Sequence, residues 1–301
     1  MDTLVEEGQH QDGVTSSMKL ATVQLGVKRQ FGVIVDDGFI NLSSRMADDC
    51  SRLEDLFDLR LLDKAKTICL TAKADETLES LTFLSPLSNG RAFALGVAYK
   101  EHQLEVGRAD AAFPNIFPKF SSSFVGHGEP ITRPSASGQF DFEGEIVIVI
   151  GKSGRHIPEE SALGHIAGYS IANDGSVRDW QKHSLVAGKN FDRSSAMGPW
   201  IVTSDEIADP GLMQLTTHLN GNVMQQACFN ELLWTPAFLV HYISTFTQLE
   251  SGDMILTGTP AGVGHRRTPP LFLKPGDLLE ISVSGIGTLS NVVADEVVQR
   301  A

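Results

Sequence analysis

The chain has 301 residues, enough for about two domains at roughly 100–200 residues each. Apolar residues make up 42% and Asp, Glu, Lys and Arg 20%, a balance that suits a globular chain and excludes a disordered or fibrous one. Against 24 Lys and Arg stand 37 Asp and Glu, and the net charge of −13 argues against the clustered cations a nucleic-acid backbone requires.

Residues 1–17 carry Asp2, Glu6 and Glu7 without an apolar core, so they fit neither a signal nor a transit peptide and read as a disordered tail. Cys50, Cys69 and Cys228 are an odd, widely spaced set with no C-x-x-C pair, which argues against a disulfide framework or a zinc site. No apolar run reaches the roughly 18 residues that span a bilayer. The expectation is a cytoplasmic protein with no membrane partner.

From Met18 the pattern becomes strand, turn, strand: Leu20–Gln24, Phe31–Val35, an Asp36-Asp37-Gly38 turn, then Phe39–Leu42. Leu53–Ala72 is loosely helical, and Ser85–Gly90 has linker composition. Residues 18–90 therefore read as a small β-rich N-terminal domain, with 91–301 as the larger catalytic one. In the latter, Phe142–Ile150 is the strongest strand. Pro158–Gly168 reads as a short helix with Pro158 and Glu159-Glu160 in its first turn. Tyr169–Ala172 reads as a strand, Ser176–His183 as helical, and Trp234–Leu249 as the longest helix. Gly-Asp turns introduce strands at Met254 and Leu278. The fold class is mainly β with α (α+β), built on an antiparallel or mixed sheet.

Absent motifs narrow the chemistry. There is no G-x-S-x-G, H-E-x-x-H or P-loop, and no G-x-G-x-x-G opens a helix after a strand. Serine nucleophiles, zinc proteases, kinases and Rossmann dehydrogenases all recede.

Two clusters remain. In Asp141-Phe142-Glu143-Gly144-Glu145, period-2 alternation puts Glu143 and Glu145 on one face, roughly 7 Å apart. That face continues as Val147 and Val149, while Phe142, Ile146, Ile148 and Ile150 line the other, so the strand is buried on both sides. Like charges there are costly unless a cation compensates them or the strand end is wet. Oxygen ligands would select magnesium, manganese or calcium. Asp174, in Asn173-Asp174-Gly175, offers a third carboxylate, although such a tripeptide is often only a turn. Second, His102 and Glu105 stand at i, i+3, where a helical turn would let the carboxylate orient an imidazole base. The same spacing also occurs on ordinary solvated helices.

Taken in order, several segments resemble the fumarylacetoacetate hydrolase family, including its acylpyruvase-like and 2-hydroxyhepta-2,4-diene-1,7-dioate isomerase-like members. They are Gly96–Glu105, Phe142–Glu145 with Gly151-Lys152, Asn173–Gln181, Gly188–Asp192, Gly198-Pro199-Trp200, Leu256–Gly264 and Gly285–Leu289. The match covers about residues 90–297. The resemblance implies a mixed β-sandwich roll and a homodimer. It implies Glu143, Glu145 and Asp174 as ligands of Mg2+, Mn2+ or Ca2+. It also implies Lys189 as the active-site lysine, a His102–Glu105 catalytic dyad, and Tyr99, Arg178, Gln181 and Thr259 on the substrate side. Ala98 departs from the Asn that many members place before the Tyr, which suggests a missing pocket hydrogen bond.

The implied reaction is hydrolysis of a C–C bond in an acylpyruvate or related β-diketone or keto acid. The metal would stabilise the enolate, and His102, oriented by Glu105, would activate water. A β-keto-acid decarboxylase, an isomerase or a hydratase could use the same scaffold, and a non-catalytic metal-binding protein is a further alternative. Arg108, Lys119 and Ser121–Ser123 are additional candidates for binding a substrate carboxylate. In so acidic a chain, an anionic substrate is expected to bind poorly without the metal.

Overall fold

The computed structural model describes residues 18–36, 38–87, 89–107 and 112–298. The expected tail, Asp37 of the first turn, and Arg108 lie outside them. Fourteen strands and four helices matter for the site. They are β1 (Lys19–Leu25), β2 (Lys28–Val35), β3 (Gly38–Asn41), α1 (Leu59–Cys69), β4 (Ala92–Gly96), α2 (Lys100–Val106), β5 (Asn115–Lys119) and β6 (Ile131–Arg133). Then come β7 (Gly144–Ile150), β8 (Ile166–Asn173), α3 (Leu185–Lys189), β9 (Ser195–Thr203), β10 (Gln214–Leu219) and β11 (Asn222–Cys228). The last are α4 (Pro236–Phe246), β12 (Met254–Leu256), β13 (Leu278–Val283) and β14 (Gly287–Asp295).

The larger sheet has eleven strands, nine of them in the order β3-β2-β1-β9-β8-β7-β12-β4-β5, with two short strands attached at β1 and β9. A five-stranded sheet runs β11-β10-β13-β14-β6. All seven residues of β7 are buried, because apolar layers cover both of its faces. Ile146, Ile148 and Ile150 pack into one cluster with Leu215, Ile281 and Leu239. Val147 and Val149 join a second cluster with Leu20, Phe31, Leu53 and Leu56 from the N-terminal segment. The alternation expected from the sequence is therefore the division between the two cores.

Several expectations change. Residues 18–90 are not a separate sheet: β1 pairs antiparallel with β9 through Lys19↔Val202 and Leu20↔Ile201, so the N-terminal strands extend the main sheet. The stretch from Leu53 splits into a 3-10 turn at Leu53–Phe57 and α1, because the Asp58 side chain accepts from the Arg60 N–H at 2.9 Å and starts a new helix. The region after Pro158 is a 3-10 turn, Glu159–His165, and β8 already begins at Ile166. Ser176–His183 is not one helix. Ser176–Val177 pairs with Phe140–Asp141, and only Trp180–Lys182 forms a 3-10 turn. The Arg178 ion pairs with Asp141 and Glu143 hold this stretch against the sheet and compete with helix formation. The longest C-terminal helix is α4, started by Thr235, whose hydroxyl accepts from the Phe238 N–H at 3.1 Å, with Pro236 in the first turn. Among the described residues, no helix is long and apolar enough to cross a membrane.

Ile148 is fully buried in the cluster between the sheets. Ile148→Ala is expected to cost about 2–5 kcal/mol through lost burial and a residual cavity. Chemical denaturation should show a lower midpoint with an unchanged slope.

Candidate active site

Strand register assembles the floor of the site. Pairing Gly144↔Asn173 and Glu145↔Ala172 brings the start of β7 beside the end of β8. Glu145 is on the strand, whereas Glu143 lies just before it. Its N–H donates to Asn173 Oδ1 at 3.1 Å, and its carbonyl accepts from the Asp174 N–H at 2.8 Å. These bonds turn the third carboxylate toward the first two. One oxygen from each of Glu143, Glu145 and Asp174 lies within 4.8 Å of the others, and all three residues are buried.

Such a cluster needs compensation, and three cations surround it. Lys189 Nζ donates to Glu143 Oε2 at 2.6 Å and to Asp174 Oδ2 at 2.7 Å. Lys119 Nζ stands 2.8 Å from Asp174 Oδ1 and donates to Ser195 Oγ at 2.8 Å and to the Lys189 carbonyl. Arg178 reaches Glu143 Oε1 at 2.7 Å and Asp141 Oδ2 at 2.7 Å. Asp141 in turn accepts backbone N–H groups from Phe142, Gly264 and His265, each at 2.9 Å.

The four carboxylates are not equally satisfied. Burial would push Glu143 up, but Lys189 and then Arg178 outweigh it and hold the group down at about 2. Glu145 has no such partner. Burial, then the neighbouring Asp174 and Glu143, push it well above the ordinary carboxylate range. Its Oε2 accepts one N–H, from Gly258 at 2.8 Å, and its Oε1 has no partner. An orphaned buried oxygen, facing two more carboxylates in an all-oxygen donor set, fits a hard divalent cation such as magnesium or manganese.

The wall carries the dyad. α2 places His102 Nδ1 2.7 Å from Glu105 Oε2, and Glu105 Oε1 accepts the Gly262 N–H at 3.0 Å. The histidine bond and that N–H lower the Glu105 carboxyl against the upward push of partial burial. His102, Glu143, Arg178, Gln181, Lys189 and Thr259 all line one cavity of about 190 Å³. A larger cavity of about 760 Å³ lies between α1 and the far ends of β7 and β8, beside Lys66, Lys152 and His165, and holds none of these groups. The smaller cavity has the chemistry.

Local sequence explains the close packing. A Cβ at Gly188 would lie 2.5 Å from Gln181 Cγ and 2.6 Å from its N, so only glycine lets Lys189 approach beside Gln181. Val97, on the cavity wall, holds φ at +60°, an uncommon conformation for a β-branched residue. From β11, Gln225 Oε1 accepts the Gly144 N–H at 3.0 Å, and Gln225 Nε2 donates to Thr259 Oγ1 at 2.6 Å. Thr259 Oγ1 donates to the Gly144 carbonyl at 3.0 Å, tying the second sheet to the start of β7.

The expected site residues therefore converge, with exceptions. Tyr99 is 1% exposed and does not line the cavity; its hydroxyl is buried without a partner and raised by burial and then by Glu145. Lys119 is no substrate contact, since its side chain is wholly buried beneath Asp174. Ser121–Ser123 form a 3-10 turn outside the cavity lining, with Ser122 bonded to Asp192 and Ser123 to the Phe120 carbonyl. Ala98 is fully buried, and a Cβ on Gly258 would stand 2.6 Å from its own Cβ, so this backbone packing leaves little room for a larger residue. The sequence reading missed Asp141, Gln225 and His265. Asp141 had a usable signal, its place two residues before Glu143; Gln225 had none.

A family model described as the fumarylacetoacetate hydrolase C-terminal region matches residues 91–294. The mitochondrial oxaloacetate tautomerase of Xenopus laevis is 39% identical over 219 residues, covering 71% of this chain and 69% of its own. The crystal structure of 5-carboxymethyl-2-hydroxymuconate delta-isomerase from Mycobacterium smegmatis superposes with a TM-score of 0.72 at 30% identity, covering 93% of this chain and 100% of that one. Maleylpyruvate hydrolase from Sphingobium sp. SYK-6, solved with manganese(II) and pyruvate, gives 0.78 at 25% identity with the same coverage.

Opposite pKa directions give opposite expectations for the metal-free protein. Glu143, held low, stabilises the fold above the usual glutamate range, and this is lost as pH falls through about 2. Glu145, held high, favours the fold only while protonated, and that contribution is lost as pH rises through its elevated value. Glu145→Gln should thus maintain or raise the metal-free Tm at neutral pH while abolishing the Tm increase caused by Mn2+. Glu143→Gln should lower the metal-free Tm, because it leaves Lys189 and Arg178 short of a partner.

Proposed function

Since the chain belongs to the fumarylacetoacetate hydrolase family, we propose that it is a divalent-metal-dependent enzyme that interconverts the keto and enol forms of a small 2-oxo acid. The observation that carries this reading is the convergence, on one small cavity, of a buried carboxylate cluster and a histidine oriented by a glutamate. The tautomerase named among its relatives supports the same chemistry.

Glu143, Glu145 and Asp174 would hold the ion. When bound, it supplies Lewis acidity toward the 2-oxo oxygen and so favours the enolate. The rest is the work of side chains. His102 Nε2 takes a proton from the carbon beside the carbonyl; the C–H electron pair becomes the C=C bond of the enolate and the negative charge moves to oxygen. Return of the proton to oxygen gives the enol, and the reverse sequence gives the ketone. Glu105, fixed by the Gly262 N–H, keeps Nδ1 engaged so that Nε2 faces the cavity. Lys189 and Arg178 hold Glu143 in its ionised form, and Gln181 and Thr259 present polar atoms along the wall.

A second reading, hydrolysis of a C–C bond in an acylpyruvate or β-diketone, is favoured by the dyad itself. A His–Glu pair can deprotonate water as readily as carbon, and the likeness to maleylpyruvate hydrolase points the same way. In that case the water oxygen attacks the distal carbonyl, the C–C bond breaks, and its electron pair forms the enolate.

Ultraviolet decay of enol-oxaloacetate, product analysis with acylpyruvates, and carbon dioxide release separate the reactions. Metal-dependent enol decay faster than hydrolysis or decarboxylation is expected. His102→Gln should lower kcat by roughly 10²–10⁴. Glu143→Ala should abolish both turnover and metal binding by calorimetry; unchanged values for that variant would overturn the metal-centre reading.

A further inference from the structure

The cavity has a graded wall. Glu143 and Lys189 at its floor are buried, whereas Lys182 and Arg266 on the same lining are exposed and mark its mouth. Among the described lining residues Glu143 is the sole carboxylate, against four cations: Arg178, Lys182, Lys189 and Arg266. Glu143 is already paired with Lys189 and Arg178. By contrast, the side chains of Lys182 and Arg266 make no hydrogen bond or ion pair with any described residue.

The two cations are carried on fixed backbone. Asp141 accepts the Gly264 and His265 N–H groups at 2.9 Å each. Neighbouring Arg267 donates to the Met224 carbonyl at 2.8 Å and to the Gly262 carbonyl at 3.1 Å. Arg267 therefore pins the turn, while Arg266 stays available. Lys182 ends a 3-10 turn whose start is capped by Asp179, accepting the Trp180 N–H at 3.1 Å. Between floor and mouth lie two unpartnered polar atoms, Gln181 Nε2 and His265 Nδ1, both buried. The His265 imidazole is lowered by burial and then by Arg178, Arg266 and Lys182, so positive potential extends along this wall.

We propose that Lys182 and Arg266, with Gln181 and His265 behind them, form a distal-anion subsite that selects 2-oxo acids bearing a second carboxylate. This rests on the reading that the floor receives the 2-oxo acid head. A guanidinium can grip a carboxylate through two parallel N–H bonds, and the ammonium adds a second, mobile charge. In a chain of net charge −13, a local cationic mouth also draws a dianion toward the floor.

The test compares binding of two non-enolisable analogues by calorimetry with Mn2+ present: N-oxalylglycine, which carries a second carboxylate, and oxamate, which does not. The wild type should prefer N-oxalylglycine. Lys182→Gln and Arg266→Gln should each weaken it by about tenfold, the scale of one charge-assisted hydrogen bond, and change oxamate by less than about twofold. Arg266→Lys should recover part of the loss. In turnover, the paired variant should raise KM for oxaloacetate with little change in kcat, and leave its 4-methyl ester unaffected. Equal weakening of both analogues, or no preference in the wild type, overturns the subsite. A preference that the variants abolish, in an enzyme that turns over neither substrate, keeps the subsite and overturns the proposed reaction instead.

Discussion

Everything near the start of β7 answers to one constraint, the burial of four carboxylates beside three cations. Ionised groups taken out of water are tolerated only when charge and hydrogen bonds are returned from the protein. Lys189, Lys119 and Arg178 serve Asp141, Glu143 and Asp174 and leave Glu145 short. This imbalance gives the cluster its affinity for a further cation. It also makes each partner costly to remove, since breaking a buried pair typically loses about 3–5 kcal/mol.

The architecture around the cluster follows from it. β7 is apolar on both faces, so its polar end has only one direction in which to find partners. Asp141 has two duties: its carboxylate anchors Arg178 and holds the backbone that carries His265 and Arg266. Gln225 and Thr259 bring the second sheet into the same network at Gly144. A change at any of these points would reach the carboxylates, the dyad wall or the cavity mouth through short, rigid connections.

The floor was legible because its residues sit close together on one strand and its approach. Glu143 and Glu145 betray themselves by interrupting an apolar alternation, and His102 and Glu105 by helical spacing. Asp174 and Lys189 were legible through resemblance, since strand pairing, invisible in the chain order, brings them to the floor. Lys119 and Tyr99 were misplaced for a related reason. Sequence states what a side chain can bond to, but burial decides whether it meets substrate or another residue, and both are buried away from the cavity. The helix expected at Ser176–His183 failed because the Arg178 ion pairs and the short pairing with Phe140–Asp141 outweigh local preference.

The match to the family model begins at residue 91, yet the sheet that carries the site continues through β9 into β1. The inherited segment and the folded sheet therefore have different edges. Evolution could exchange the first ninety residues only for another segment that supplies a strand to the open side of β9 and apolar cover for Val147 and Val149. An exchange lacking either would leave an unpaired, hydrophobic sheet margin, the kind of surface that recruits other chains. Variation in the N-terminal region is thus constrained by solubility, even where it has no part in the chemistry.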